Sequence, residues 1–164
     1  MRYERRLRHP VEKVWRAITE SNSLRSWFPT DITGLGDSGD ELIFTFWPEA
    51  MAYATEEIGM PEFPATLTGK LLVWEPPETL EFRWEAERLR YELLPDADGT
   101  HLVLTVWLGS GADAAGTPDP AAGYHVCLAR LAAAIDGRPS GMPSAADVHE
   151  LETRYAEAFG VPRG

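Results

Sequence analysis

The residues of this chain that could perform chemistry are few and scattered. There are four histidines and one cysteine. His125 and Cys127 stand two positions apart on a predicted helix, so their side chains point in different directions and do not indicate a Cys–His nucleophilic pair. We interpret Cys127 as a thiol that packs like a small apolar side chain. His125 is either a polar group that lines a cavity or an ordinary helix residue.

The remaining histidines do not indicate a metal site. His149 and Glu150 begin a zinc-protease pattern, but the second histidine would stand at position 153, which is Thr153. The other histidines lack the spacing of a closed metal site, and no Ser–His–Asp set is recognisable. The sequence therefore predicts no metal, no cofactor and no recognisable catalytic residue.

Residues 34–39, which read GLGDSG, formally match the glycine pattern of dinucleotide-binding proteins. That pattern requires a strand before it and a helix after it, whose N-terminus meets the pyrophosphate. Here the strand-like residues 41–47 follow instead. We therefore predict an ordinary turn at this position.

The charge of the chain argues against several classes of partner. The formal net charge of −11 weighs against nucleic acid, which requires a basic surface, and against anionic membranes. No run approaches the ~18 apolar residues of a membrane span, and the N-terminus has no apolar signal region. The single cysteine allows no intramolecular disulfide. We expect a cytoplasmic protein without membrane insertion.

The most regular stretch of the chain is residues 69–84, two strand-like runs around the corner Pro76-Pro77. Prolines cannot donate to a sheet ladder, so they end the first strand and set the turn. In the second run Leu80, Phe82 and Trp84 alternate with charged residues. A period of two predicts an aromatic face that points inward and a charged face in water.

The other elements follow from the same periodicities. We predict strands over residues 2–8, 41–47, 65–74, 79–85, 88–94 and 100–109, and a loop over 110–122. A helix opens at His9-Pro10, and short helices follow over 24–28 and 50–58. The stripe formed by Tyr124, Leu128 and their successors predicts a long helix over 123–135. A last helix follows an N-cap at residue 144 and runs to 159.

This order of elements fits an α+β fold, with a bent antiparallel sheet of about six to seven strands wrapped around the long helix. We expect one domain over residues 1–164, with a core over 1–137 and a C-terminal extension over 138–164. The extension acts either as a brace or as part of a homodimer contact. Folds of this kind commonly leave room for a ligand between sheet and helix.

Aromatic and large apolar residues dominate the face that points into this space. They either line a ligand cavity or simply fill the core. The candidate cavity residues are Trp27, Phe28, Phe44, Phe46, Phe82, Trp84, Tyr91, Leu104, Tyr124, His125 and Leu128. The connection over residues 48–66 is rich in methionine and aromatic residues, which suits either a lid or an outer buttress. The candidate lid residues are Met51, Tyr53, Ile58, Met60 and Phe63.

Four segments together resemble a known family. They are residues 9–28 with HPVEKVWRAIT followed by Leu24 and Trp27-Phe28, residues 69–84, residues 98–104, and residues 123–131. In this order they resemble SRPBCC proteins of the branch similar to activators of the heat-shock-protein ATPase. The resemblance covers roughly residues 3–136.

The resemblance implies the helix-grip fold of START-like domains and birch-pollen-allergen-like proteins. It implies a small hydrophobic molecule as the partner, with a polyketide cyclase or hydrolase activity, or a co-chaperone role, as alternatives. It transfers no active site. Two features depart from the family: Tyr124 stands where tryptophan is frequent, and the connection over residues 48–66 is longer than is typical.

Overall fold

The computed structural model describes residues 1–109 and 118–161. The strands are β1 (Arg2–Leu7), β2 (Thr30–Thr33), β3 (Glu41–Phe46), β4 (Thr66–Glu75), β5 (Thr79–Trp84), β6 (Glu87–Asp96) and β7 (Gly99–Trp107). The helices are α1 (Val11–Thr19), α2 (Ser21–Leu24), α3 (Pro48–Ala52), α4 (Pro118–Ile135) and α5 (Ala145–Phe159). A π-helical segment, Tyr53–Glu57, continues α3.

The seven strands form one antiparallel sheet in the order β1-β7-β6-β5-β4-β3-β2. The sheet curves, and its inner face packs against α4, as the helix-grip fold requires. Along α4 the core contacts come from Tyr124, Leu128, Leu131 and Ile135, whose spacing places them on one side of the helix. The predicted α+β helix-grip architecture is confirmed.

Alternation of side chains along β6 and β7 separates the two faces of the sheet. On β7 the side chains of Leu102, Leu104 and Val106 point inward, and on β6 Leu89 and Tyr91 do the same. Tyr91 stands opposite Leu104 in the ladder, so the two pack side by side under α4. Burial of such side chains contributes roughly 1.5–3 kcal/mol each and supplies most of the stability.

Three boundaries differ from the predicted ones. The strand β2 was not predicted, because it has four residues of which only Ile32 is apolar. The second helix covers Ser21–Leu24, and residues 25–28 are a turn rather than its continuation. Residues 118–122, predicted as part of a loop, form the first turn of α4, where prolines are tolerated because those N–H groups lack partners anyway. Residues 110–117 lie outside the described part.

Other predicted features are confirmed. Residues 34–39 form the connection between β2 and β3 and open no helix, which confirms the turn reading of the glycine pattern. The predicted N-cap of α5 is a capping box between Ser144 and Asp147. No helix in the described part of the chain has the length and hydropathy needed to cross a bilayer.

The helices are tied to the sheet and to one another at a few points. Lys13 Nζ donates to the carbonyl of Ile135 at 3.0 Å, which joins the start of α1 to the end of α4. Tyr3 of β1 donates to the carbonyl of Ala121 in the first turns of α4, also at 3.0 Å. Tyr155 of α5 packs edge-on against Tyr3, with ring centroids 6.5 Å apart. The sheet, α4 and α5 are therefore linked through one buried tyrosine.

Gly69 on β4 is required for the inner face to close. A Cβ atom at this position would overlap both the carbonyl oxygen of Arg83 and the ring of Phe44. We expect Gly69→Ala to lower the free energy of unfolding by about 2 kcal/mol, because a strand backbone and a buried ring must both shift. Urea unfolding followed by circular dichroism measures the loss.

The matched control is Gly39→Ala, where a Cβ atom meets nothing within 4 Å. Its effect should stay within about 0.5 kcal/mol. Equal stabilities for the two variants would show that Phe44 does not need the space that Gly69 leaves.

Candidate functional site

Eight aromatic side chains form a continuous file from the core to the surface, which we call the ring cluster. Its members are Trp27, Phe28, Phe44, Phe46, Phe63, Phe82, Trp84 and Tyr91. The indole of Trp84 connects its inner and outer parts, with ring centroids 5.7 Å from Phe28, 5.4 Å from Phe44 and 6.1 Å from Phe46. Such separations are those of attractive aromatic contacts.

The file runs from complete burial to partial exposure. At its inner end Phe82 lies 5.4 Å from Phe44 and 6.2 Å from Tyr91, and none of these rings is more than 2% exposed. At its outer end Phe46 and Trp84 are half-buried. Phe63, also half-buried, covers Phe46 with centroids 4.9 Å apart. The cluster therefore ends at the connection between β3 and β4.

A carboxylate stands beside the outer rings. Glu87, the first residue of β6, lies opposite Trp84 in the ladder across the turn that joins β5 to β6. Its Oε2 atom accepts a hydrogen bond from the indole Nε1–H of Trp84 at 3.3 Å. The same oxygen accepts a short hydrogen bond from the hydroxyl of Tyr124 on α4. This carboxylate thus joins the sheet to the long helix at the end of the file.

The neighbourhood of Glu87 keeps Tyr124 protonated. Burial, and then the negative charge of Glu87, hold the pKa of the Tyr124 hydroxyl well above its usual value. At neutral pH the phenol is therefore a donor, and the carboxylate oxygen is the acceptor. Together with the indole N–H, this gives the site two neutral donors that converge on one oxygen.

The sequence-predicted site residues divide into two groups. Besides the ring cluster, Leu104, Tyr124 and Leu128 belong to the same buried core. His125 is not brought to the rings: its Nδ1 lies 3.0 Å from the hydroxyl of Tyr155 on α5. Burial and nearby arginines lower the pKa of His125, so its ring is mainly neutral at pH 7.

The candidate lid residues are also spread out. Phe63 joins the ring cluster, whereas Tyr53 donates to the carbonyl of Pro143 in the α4–α5 connection at 2.9 Å. Met51 and Ile58 are half-buried, and Met60 is 49% exposed. Of the two aromatic residues among these candidates, Phe63 pairs with a ring of the cluster and Tyr53 is bound to the α4–α5 connection.

Sequence reasoning missed Glu87 and placed Glu81 wrongly. Alternation predicted that the charged face of β5 would lie in water, yet Glu81 is only 6% exposed because Arg88 and Arg90 cover it on the outer face of the sheet. Glu87 was overlooked because it falls in the predicted gap between two strands. Its position opposite Trp84 in a tight hairpin was the available signal.

Two cavities lie away from the ring cluster, and Trp27 is the one member of the cluster that lines either of them. A cleft of about 630 Å³ separates α1 and α2 from the end of α4 and is lined by Lys13, Arg16, Trp27 and Asp136 among others. A smaller one of about 260 Å³ lies between α4 and residues 139–143. Neither of these two occupies the predicted hollow between sheet and long helix. No cluster of metal-ligating side chains is found within the described residues.

Cys127 provides a test of the packing beneath α4. Burial raises the pKa of its thiol to about 11. We expect the alkylation rate of the folded protein to rise with pH, with a midpoint near pH 11. The alkylation rate of the unfolded chain should rise with a midpoint near the ordinary thiol pKa of about 8.5. Iodoacetamide labelling followed by mass spectrometry is unambiguous, because the chain has one cysteine.

The same shift affects stability in a defined direction. The thiol contributes most to the free energy of unfolding at pH values below its pKa in the unfolded chain. This contribution is lost as the pH rises toward the pKa of about 11 in the folded protein. A Cys127→Ala variant should therefore lose less stability between these pH values than the unmodified chain. Rapid alkylation of the folded protein at neutral pH would contradict the packing.

Comparison with known proteins agrees with this architecture. No curated protein matches the chain. A solved structure from Bordetella parapertussis is 25% identical, covers 96% of this chain and 84% of its own, and has a TM-score of 0.72. A conserved protein of unknown function from Enterococcus faecalis is 20% identical, with 99% and 85% covered and a TM-score of 0.71.

CalU16 from Micromonospora echinospora is also similar in structure. It is 20% identical, 97% of this chain and 83% of that one are covered, and the TM-score is 0.62. The family model described as "Activator of Hsp90 ATPase homolog 1-like protein" matches residues 8–136, which include strands β2 to β7 and the whole of α4 but not β1. The chain therefore belongs to the family of proteins like the activator of Hsp90 ATPase homolog 1, within the SRPBCC fold.

Proposed function

We propose that the protein binds a small apolar or aromatic molecule at the outer end of the ring cluster, between the sheet and α4. The observation that carries this proposal is that the outer rings of the cluster are only partly buried. Trp84 and Phe46 are half-buried, and the side chain that covers Phe46 comes from an irregular connection. Among the described residues, the ring that covers Phe46 comes from a loop, and a loop side chain is displaced more easily than one held in a strand.

Phe63 is the side chain that a ligand would replace. It lies in residues 58–65, which form no helix and only reach β4 at their end. The preceding part of the connection is held at both ends, since the indole of Trp47 donates to the carbonyl of Phe28 at 3.1 Å and Tyr53 is bound to Pro143. Movement is thus confined to the stretch that carries Phe63, which suits a lid.

A neutral aromatic probe, 1-naphthalenemethanol, tests the proposal. We expect saturable binding with one site, and a shift of the Trp84 indole N–H signal in a proton–nitrogen correlation spectrum. Phe63→Ala should tighten binding about fivefold, because the ligand no longer displaces one ring pair worth roughly 1 kcal/mol. Titration calorimetry gives both affinities.

The matched controls are two tryptophan variants. Trp84→Ala should abolish binding, whereas Trp107→Ala should leave it unchanged, because Trp107 lies 40% exposed on the outer face and stacks on Arg88. The proposal fails if the probe does not saturate, or if its signals map to the cleft beside Lys13 and Arg16.

A catalytic role in the manner of a polyketide cyclase is the second candidate, and the pair formed by Glu87 and Tyr124 favours it. A carboxylate can accept a proton from a carbon next to a carbonyl, and the hydrogen bond from the Tyr124 hydroxyl holds the Glu87 carboxylate in place for that role. Turnover of a poly-β-ketone substrate that Glu87→Gln abolishes, with binding of the neutral probe retained, would support this role. Product formed equally by both proteins would exclude Glu87 as the base.

A further inference from the structure

We infer that this site selects molecules with a positively charged group, which Glu87 binds at the rim while the apolar body lies against the rings. The inference rests on the proposed function and adds to it the chemical class of the ligand. It starts from a feature of Glu87, a half-buried carboxylate that forms no ion pair within the described part of the chain.

The partners of Glu87 are both uncharged. They are the indole N–H of Trp84 and the hydroxyl of Tyr124. Within residues 1–109 and 118–161, no lysine, arginine or histidine forms an ion pair with it. Of the residues outside these ranges, 110–117 read SGADAAGT and contain no basic residue, whereas 162–164 include Arg163.

The treatment of Glu81 shows that this sequence does neutralise a buried carboxylate elsewhere. Glu81 faces the outer side of the sheet with its side chain only 8% exposed, and it pairs with Arg90 at 3.1 Å and with Arg88 at 3.5 Å. Burying an unpaired charge is costly, so proteins usually supply a partner. A carboxylate left without one on the inner rim is a vacant position for a ligand cation.

The surroundings of Glu87 favour a cation over any other charged group. The faces of Trp84 and of the nearby Phe46 and Tyr124 attract positive charge through their ring quadrupoles. The basic residue on the inner side of β1, Arg5, donates to the carbonyl of Glu4 rather than to Glu87. The net charge of −11 also enriches cations and repels anions around the whole molecule. An anionic ligand would meet repulsion at the rim.

Three naphthalene probes that differ only in charge test this inference. They are 1-naphthylmethylamine, which is protonated near pH 7, neutral 1-naphthalenemethanol and anionic 1-naphthoate. We expect the amine to bind about tenfold more tightly than the alcohol, because one charge-assisted hydrogen bond to Glu87 adds about that much affinity. The naphthoate should bind most weakly, because its carboxylate is repelled by Glu87. Raising the salt concentration should weaken the amine more than the alcohol.

Two variants of the same strand locate the effect. Glu87→Gln should remove the preference for the amine, so that the amine and the alcohol bind this variant with similar affinity. Glu92→Gln, which removes a carboxylate from the outer face of β6, should retain the preference. Calorimetry of the three probes against the three proteins gives the comparison, and equal binding of the amine and the alcohol by the unmodified chain overturns the inference even if Glu87→Gln fails to fold.

The outcomes separate the two proposals. Equal binding of amine and alcohol, or a preference that survives Glu87→Gln, overturns the cation inference while leaving the apolar site intact. Failure of the alcohol to bind overturns the proposed function, and the inference falls with it.

Discussion

The closure of the inner face of the sheet over the ring cluster is the constraint on which the rest of the structure depends. Trp84 touches rings of β3 and of the α2–β2 turn while its N–H is committed to Glu87. Gly69, opposite Trp84 in the ladder, leaves the space that Phe44 fills. A dense interior of this kind resists changes in volume, so the position of each ring determines the next.

This constraint also determines where flexibility can exist. The inner rings are held by strands β3, β5 and β6 and covered by α4, whereas Phe63 is held only by a connection without regular structure. Opening the cluster at Phe63 breaks one ring pair, but opening it elsewhere would separate a strand from α4. Opening the ring cluster for a ligand therefore costs the least free energy at its outer end.

Glu81 and Glu87 of the β5–β6 hairpin illustrate how the two faces of the sheet differ. On the outer face Glu81 lies beneath two arginines, a structural arrangement that needs nothing further. On the inner face Glu87 accepts hydrogen bonds from an indole and a phenol and, within the described residues, forms no ion pair. The first arrangement stabilises the hairpin, and the second leaves a charge that a bound molecule can complement.

The sequence alone was sufficient to predict the fold class, most strands and both long helices, because alternation and helical spacing are local properties that burial imposes on every such element. It also identified the aromatic residues that meet in the core. It did not reveal the strand β2, which is too short for a pattern, or the helical first turn of α4, where prolines imitate a loop.

Only the tertiary structure decided which of those residues act together. His125 turned out to face Tyr155 across α4 and α5, and Tyr53 to anchor the connection rather than cover the rings. Glu87 became part of a site because a tight hairpin set it opposite Trp84 and the long helix brought Tyr124 to the same oxygen. Contacts between residues 37 positions apart depend on how the sheet curves around the helix, and no local pattern encodes that distance.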